Sequence, residues 1–147
     1  MSKKWGTIQY ADFEKLQKRL EQLEKSDMDA FCRNAAKELA ARLLAKVKQR
    51  TPVGVYPKGS GQTGGTLRRN WTCDFNVEYR GNEYRITVYN PTEYAIYVEY
   101  GHRTRGGAGW VNGRFMMTES VNELEKQMPA IIERKLQKFI KDMLLNG

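Results

Sequence analysis

Apolar residues recur at helical spacing in three stretches of this chain and alternate with polar ones in a fourth. Phe13, Leu16, Leu20 and Leu23 fall three or four residues apart, a spacing that puts side chains on one face of a helix. Charged neighbours fill the other face, so residues 10–24 predict an amphipathic helix. Ser26 and Asp27 then offer caps for a second, longer helix reaching about Gln49, with Phe31, Ala35, Leu39, Leu43 and Val47 along one side. Ala36, Ala40 and Leu44 widen that stripe, which predicts packing on more than one partner, and Thr51-Pro52 ends it. Near the other end, Thr118 opens a helix carrying Val121, Leu124 and Met128, then Ile131, Ile132, Lys135, Phe139 and Met143. Pro129 is expected to kink this helix or divide it, because proline lacks the N–H that a helix interior needs.

Between the helices the period changes. Residues 70–79 and 83–90 alternate apolar and polar positions around Arg80-Gly81-Asn82, a β-hairpin signal. Trp71, Cys73, Phe75 and Val77 are expected on one face of the first strand, and Tyr84, Ile86 and Val88 on one face of the second, covering the long helix. Residues 94–100 fit both periods, since Tyr94, Ile96, Val98 and Tyr100 suit a strand while Tyr94, Tyr97 and Val98 suit a helix. Asn90 as N-cap, Pro91 in the first turn, Glu93 as the acid that completes the cap and Gly101 as the stop decide for a short aromatic helix over 91–100. Trp110-Val111 and residues 114–116 predict a short ribbon around the Asn112-Gly113 turn signal. The expected fold class is α+β. An N-terminal amphipathic helix and a long second helix pack on a small antiparallel sheet, with a short aromatic helix and a kinked C-terminal helix. At 147 residues this is one domain, 1–147, with residues 1–25 as a helical extension.

Charge sharpens the picture. The net charge is +8, and residues 50–69 contain Arg50, Lys58, Arg68 and Arg69 without an acid. Residues 101–117 contain Arg103, Arg105 and Arg114, again without an acid. The same stretches hold ten of the thirteen glycines, so residues 51–66 and 101–114 read as flexible basic loops. Neither is a nucleotide cradle: the first lacks GxxxxGK[ST] spacing, and Gly107, Gly109 and Gly113 miss the dinucleotide fingerprint by one residue.

Catalytic chemistry is thin. His102 is the sole histidine, with no nucleophile motif beside it, and Cys32 and Cys73 lack CxxC spacing and read as free thiols. No catalytic residue, metal site or cofactor is therefore expected. The N-terminus has no apolar run suited to a signal peptide, and no segment approaches the ~20 apolar residues of a membrane span, which predicts a protein made and kept in a cytosol without membrane contact. Arginines on glycine-rich loops suit phosphate contact through counterion release, with Tyr56 and Trp110 as candidate stacking partners. The same charges also suit acidic surfaces of neighbouring subunits, and the residues place subunit contact slightly ahead of DNA contact.

Four segments, TPV at 51–53, TLRRNW at 66–71, NPTEYAIYVEYGHRT at 90–104 and GRFMMTESVNELE at 113–125, occur in an order and spacing that resembles the head-tail joining or tail-completion proteins of tailed phages. These are minor structural proteins typified by the tenth gene product of a lambdoid phage. The glycine-rich first loop departs from the family's pattern. The resemblance implies a virion protein of the tail or neck, assembled in the host cytoplasm as a homo-oligomeric ring, expected to be hexameric. That ring completes or terminates the tail and docks it to the head connector or stopper and to tail tube or terminator proteins, with genomic DNA passing through the lumen. On this reading Tyr94, Tyr97 and Tyr100 supply packing at a subunit boundary. Glu99 pairs with an arginine of this chain or a neighbour. Arg103, Arg105, Trp110 and Arg114 make subunit or neighbouring-ring contacts or line the channel, while Arg50, Lys58, Arg68 and Arg69 form a second loop facing DNA or a partner. The alternative reading is a sequence-independent nucleic-acid-binding module.

Overall fold

The computed structural model describes residues 25–146; the helix expected over 10–24 lies outside them. The described chain is α+β, in the order α1 (Lys25–Arg50), α2 (Thr66–Asn70), β1 (Glu78–Arg80), β2 (Glu83–Arg85), α3 (Ala95–Tyr100), β3 (Gly101–Arg103), β4 (Trp110–Asn112) and α4 (Met116–Asn146). Ser26 and Asp27 sit inside the first turn of α1, where Asp27 complements the helix dipole and is not the cap itself.

The two long helices run antiparallel, as their cross-helix partners fall in reverse order. Phe31 meets Phe139 with ring centroids 4.9 Å apart, the Lys135 ammonium donates to Glu38 at 2.8 Å, and Lys46 donates to Glu123 at 2.6 Å. Arg50 bonds both Glu123 and Ser120. Together Lys46 and Arg50 hold the Glu123 carboxyl down at about 2. Between these polar ties lie the buried positions that periodicity predicts: Ala35, Ala40 and Val47 on α1, Leu124 and Ile131 on α4. Burial on both sides of Pro129 explains why α4 continues through it as one element, so of the two expected outcomes, a kink or a division, the division does not occur. The α1 register holds each flanking turn in place, so the one lost hydrogen bond does not end the helix.

A core forms where α1, α2, α3 and the start of α4 converge, around Val47, Leu67, Trp71 and Met116. Fully burying side chains such as Val47 and Met116 contributes roughly 1.5–3 kcal/mol each. Thr51, fully buried at the end of α1, organises the polar part of this junction. Its hydroxyl donates to the Val47 carbonyl and accepts from the Trp71 indole N–H at 2.6 Å. Its carbonyl accepts two bonds from the Arg68 guanidinium, at 2.7 and 3.0 Å, so the open end of α1 is satisfied from residues 17 and 20 positions away.

The sheet differs from expectation. In place of one small sheet there are two separate two-stranded antiparallel hairpins, β1–β2 and β3–β4. The first has the predicted turn at Gly81-Asn82, with Tyr79 opposite Tyr84, and half-buried Tyr84, Ile86 and Val88 alternate with exposed neighbours as expected. It docks on the first half of α1, where Tyr84 Oη donates to Asp29 at 2.9 Å and Arg33 donates to the Val77 carbonyl at 2.7 Å. Its first arm is shorter than predicted. Residues 66–70 are helical, and past the isolated bridge between Thr72 and Tyr89 an Asx turn intervenes: Asp74 Oδ1 accepts from the Asn76 N–H at 2.9 Å. That turn puts Phe75 at φ 56 and leaves its side chain 37% exposed, so Phe75 does not share the face of Trp71 and Val77.

A candidate assembly face

The chain over residues 90–118 is built as one unit on the core. Asn90 does not cap α3; it makes its own turn with the Thr92 N–H at 3.0 Å and donates to the Leu67 carbonyl at 2.8 Å. The helix therefore starts later than expected, at Ala95, with no side-chain cap, and Pro91 and Glu93 lie before it. Gly101 does stop it. At φ 90 its N–H closes onto the Tyr97 carbonyl, and a Cβ there would lie 2.5 Å from the Val111 carbonyl oxygen.

Residues 101–114, expected as a loop with a ribbon turning at Asn112-Gly113, form instead the β3–β4 hairpin. Gly101 pairs with Asn112, His102 with Val111 and Arg103 with Trp110, while the turn is made by residues 104–109, where Thr104 Oγ1 accepts the Gly109 N–H at 2.9 Å. Gly113 serves close approach, since a Cβ there would lie 2.4 Å from the Glu99 carbonyl oxygen. The chain then runs along the end of α3, with Arg114 and Phe115 N–H groups donating to the Val98 and Glu99 carbonyls at 2.7 and 3.0 Å. Phe115, at φ 47, turns it into α4.

Glu99 closes this unit. Its side chain is buried, and its carboxylate accepts the Met117 and Thr118 N–H groups at 2.9 Å each and the Thr118 hydroxyl at 2.7 Å. Among the described residues Glu99 pairs with no arginine of its own chain; its carboxylate caps α4, where first-turn N–H groups lack partners and the helix dipole favours a negative charge. Thr118 lies within the first turn and not at the helix start.

What Glu99 fixes from inside, the unit presents outside as an apolar surface. Ile96, Tyr97, Tyr100 and Trp110 are each 57–59% exposed, and Tyr94, Val111 and Phe115 are also exposed. The Tyr97 ring meets His102 edge-on at 6.3 Å, and Tyr100 meets Phe115 likewise at 6.3 Å. His102 itself is half-buried, and its Nδ1 has no hydrogen-bond partner among the described residues. Arg103, Arg105 and Arg114 are exposed around these rings, with no ion pair among the described residues.

The first basic loop is irregular over residues 52–65 and closed at its neck. A Cβ at Gly64 would lie 1.8 Å from the Gly54 carbonyl oxygen, so two glycine backbones meet there, and Arg69 donates to the Gly64 carbonyl at 3.1 Å. Beyond the neck Val55 is 95% exposed, and Lys58 is exposed too. The neck faces the aromatic unit across a cleft of about 300 Å³ lined by Val53, Tyr56, Leu67, Tyr94, Val98 and Arg114. The two basic segments are therefore neighbours in space. Arg50, Arg68 and Arg69 bond within the chain, to Glu123, Thr51 and Gly64 respectively, whereas Lys58 points to no partner among the described residues. The Glu123 clamp was invisible in the sequence, because its partners Lys46 and Arg50 lie 77 and 73 residues away.

No group of His, Cys, Asp or Glu among the described residues is arranged to hold a metal ion, and no helix there is long and apolar enough to cross a membrane. Cys32 and Cys73 are free and half-buried. A family model described as "Bacteriophage HK97-gp10, putative tail-component" matches residues 14–101, well over half of the chain. No curated protein and no solved structure matches it.

Proposed function

Since the chain belongs to the HK97-gp10-like family of phage tail components, we propose that it forms a ring, hexameric by resemblance, in the neck of the virion. There it completes or terminates the tail and joins it to the head connector, acting as a structural part without catalysis. The exposed aromatic face of α3 and the β3–β4 hairpin carries this reading. Several large apolar side chains exposed on one rigid unit mark a docking region, and tyrosine, tryptophan and arginine are the residues that interfaces favour. Tyr94, Tyr97, Tyr100 and Trp110 supply the apolar centre of the contact, and Arg103, Arg105 and Arg114 its charged rim. Lys58, at the end of its loop, reaches a neighbouring ring or the DNA in the lumen. The partners are other copies of this chain, the connector or stopper on one side and tube or terminator proteins on the other, joined in the host cytoplasm.

The mass of the purified protein, alone and mixed with tail components of the same particle, tests this. A ring or a stoichiometric complex is expected. A stable monomer that ignores tail proteins and binds DNA tightly at physiological salt, with the steep salt dependence of phosphate contacts, would overturn it in favour of a nucleic-acid-binding module. Electron microscopy of particles lacking the protein separates the two tail roles: over-long tubes mean termination, and separate filled heads with normal-length tails mean joining.

A further inference from the structure

The aromatic face cannot dock on itself. Its exposed charges are Arg103, Arg105 and Arg114, with the exposed acid Glu93 at its edge, so a two-fold contact would bring two strongly basic surfaces together, which is repulsive. Its partner surface must be apolar and carry acids. Among the described residues, the exposed large apolar side chains outside the face fall into few places. Met28, near Asp27, and Leu145, three positions past Asp142, are each a single aliphatic side chain on its helix with no exposed aromatic ring beside it. Val53, Val55 and Tyr56 share their loop with Lys58 and no acid. Leu136 stands alone on α4, where its helical neighbours three and four positions away are Glu133, Ile132, Phe139 and Ile140 and none is an exposed apolar residue. The β1–β2 region is different, for it exposes Phe75, Tyr79 and Tyr89 beside Asp74 and Glu78. Its Glu83 is bonded to Arg85 at 3.0 Å, which leaves Asp74 and Glu78 against Arg80 alone.

We infer that the partner of the aromatic face is the β1–β2 hairpin of a second copy, in a head-to-tail contact repeated around the ring; this rests on the self-assembling ring proposed above. Each subunit offers both halves, and α1 holds them apart. The hairpin is anchored at Asp29 and Arg33 and the aromatic unit where Val47 meets Met116, so Arg33 and Val47 stand about 21 Å apart at 1.5 Å per helical residue. Two unlike surfaces on separate parts of one subunit generate a ring when the rotation between copies closes. The Asx turn at Asp74 has a place in this contact: it pushes Phe75 outward from its strand, beside an acid, as an apolar knob for the aromatic face.

Charge reversal tests the pairing. One variant carries Asp74→Lys and Glu78→Lys, the other Arg103→Glu and Arg105→Glu; all four positions are exposed, and circular dichroism checks that each variant is folded. Sedimentation velocity reads the mass. Each variant alone is expected to be monomeric. An equimolar mixture is expected to assemble, because the unaltered face of one variant meets the unaltered hairpin of the other and the two reversed surfaces also attract each other; the chain with all four changes is expected to regain the ring for the same reason. A hairpin variant that still assembles like the unaltered chain overturns the inference while the ring stands. So does a mixture that stays monomeric. An unaltered chain that stays monomeric even with its tail components overturns the ring and this pairing together.

Discussion

At Glu99 a single carboxylate joins two elements, and removing it has a calculable effect. Three donors of the α4 start converge on it in a buried position. Glu99→Ala is expected to lower the unfolding free energy by about 1–2 kcal/mol, the range of a lost N-cap, and Glu99→Gln by less, since an amide oxygen still accepts. Urea denaturation checks this, and an unchanged midpoint would refute the capping role. The second acid of consequence is Glu123. Its pKa is lowered from 4.5 to about 2 by bonds from Lys46 and Arg50, so its contribution is present above about 4.5 and is lost as pH falls toward 2. Glu123→Gln should flatten the stability profile in that window, while a profile identical to that of the unaltered protein would argue against the clamp. Neither role was legible from the residues. Glu99 stands close to arginines in sequence, but its true partners lie 18 and 19 positions on, across a reversal that only the folded backbone makes.

At the scale of elements, legibility followed length. The long stripes of α1 and α4 survive as read, because periodicity over many turns leaves one orientation that buries Val47, Leu124 and Ile131. The short elements moved, because in them one hydrogen bond outweighs propensity: Asn90 makes its own turn, so α3 begins at Ala95, and Asp74 interrupts the first strand. Glycine was the hardest to interpret. Asn112-Gly113 has the composition of a hairpin turn, yet Gly113 is there for a backbone contact, and the actual turn is six residues of low information, 104–109. Gly101, read as a helix stop, is one, and it also combines positive φ with a contact that admits no Cβ. Gly101→Ala should therefore cost about 1–3 kcal/mol and raise hydrogen exchange at His102 and Val111, whose strands it joins. Unchanged exchange there would mean the hairpin does not depend on that junction.

At the scale of the whole molecule, the family was legible because four short segments keep the order and spacing of its members, and the α+β class because the helical and alternating stretches are distinct, whereas the arrangement of the two basic segments around one cleft was not. The two segments differ in structure: residues 101–103 and 110–112 are paired strands joined by the turn 104–109, whereas residues 52–65 are irregular. Ordering such a loop costs roughly 1–2 kcal/mol per residue, so protection of amides 55–63 against exchange is expected to rise on assembly, and equal protection before and after would show the loop takes no part. The closed neck has a practical meaning as well. With Gly54 and Gly64 already in contact, whatever lies between them is tethered at both ends to a fixed point, and Gly59 and Gly61 have nothing within 4 Å of a would-be Cβ. Doubling such a loop costs only about 0.6 kcal/mol in closure entropy. A short epitope inserted between Gly59 and Gly61 should leave the subunit folded and serve as a flag for antibody labelling, marking on the intact particle which way this subunit faces.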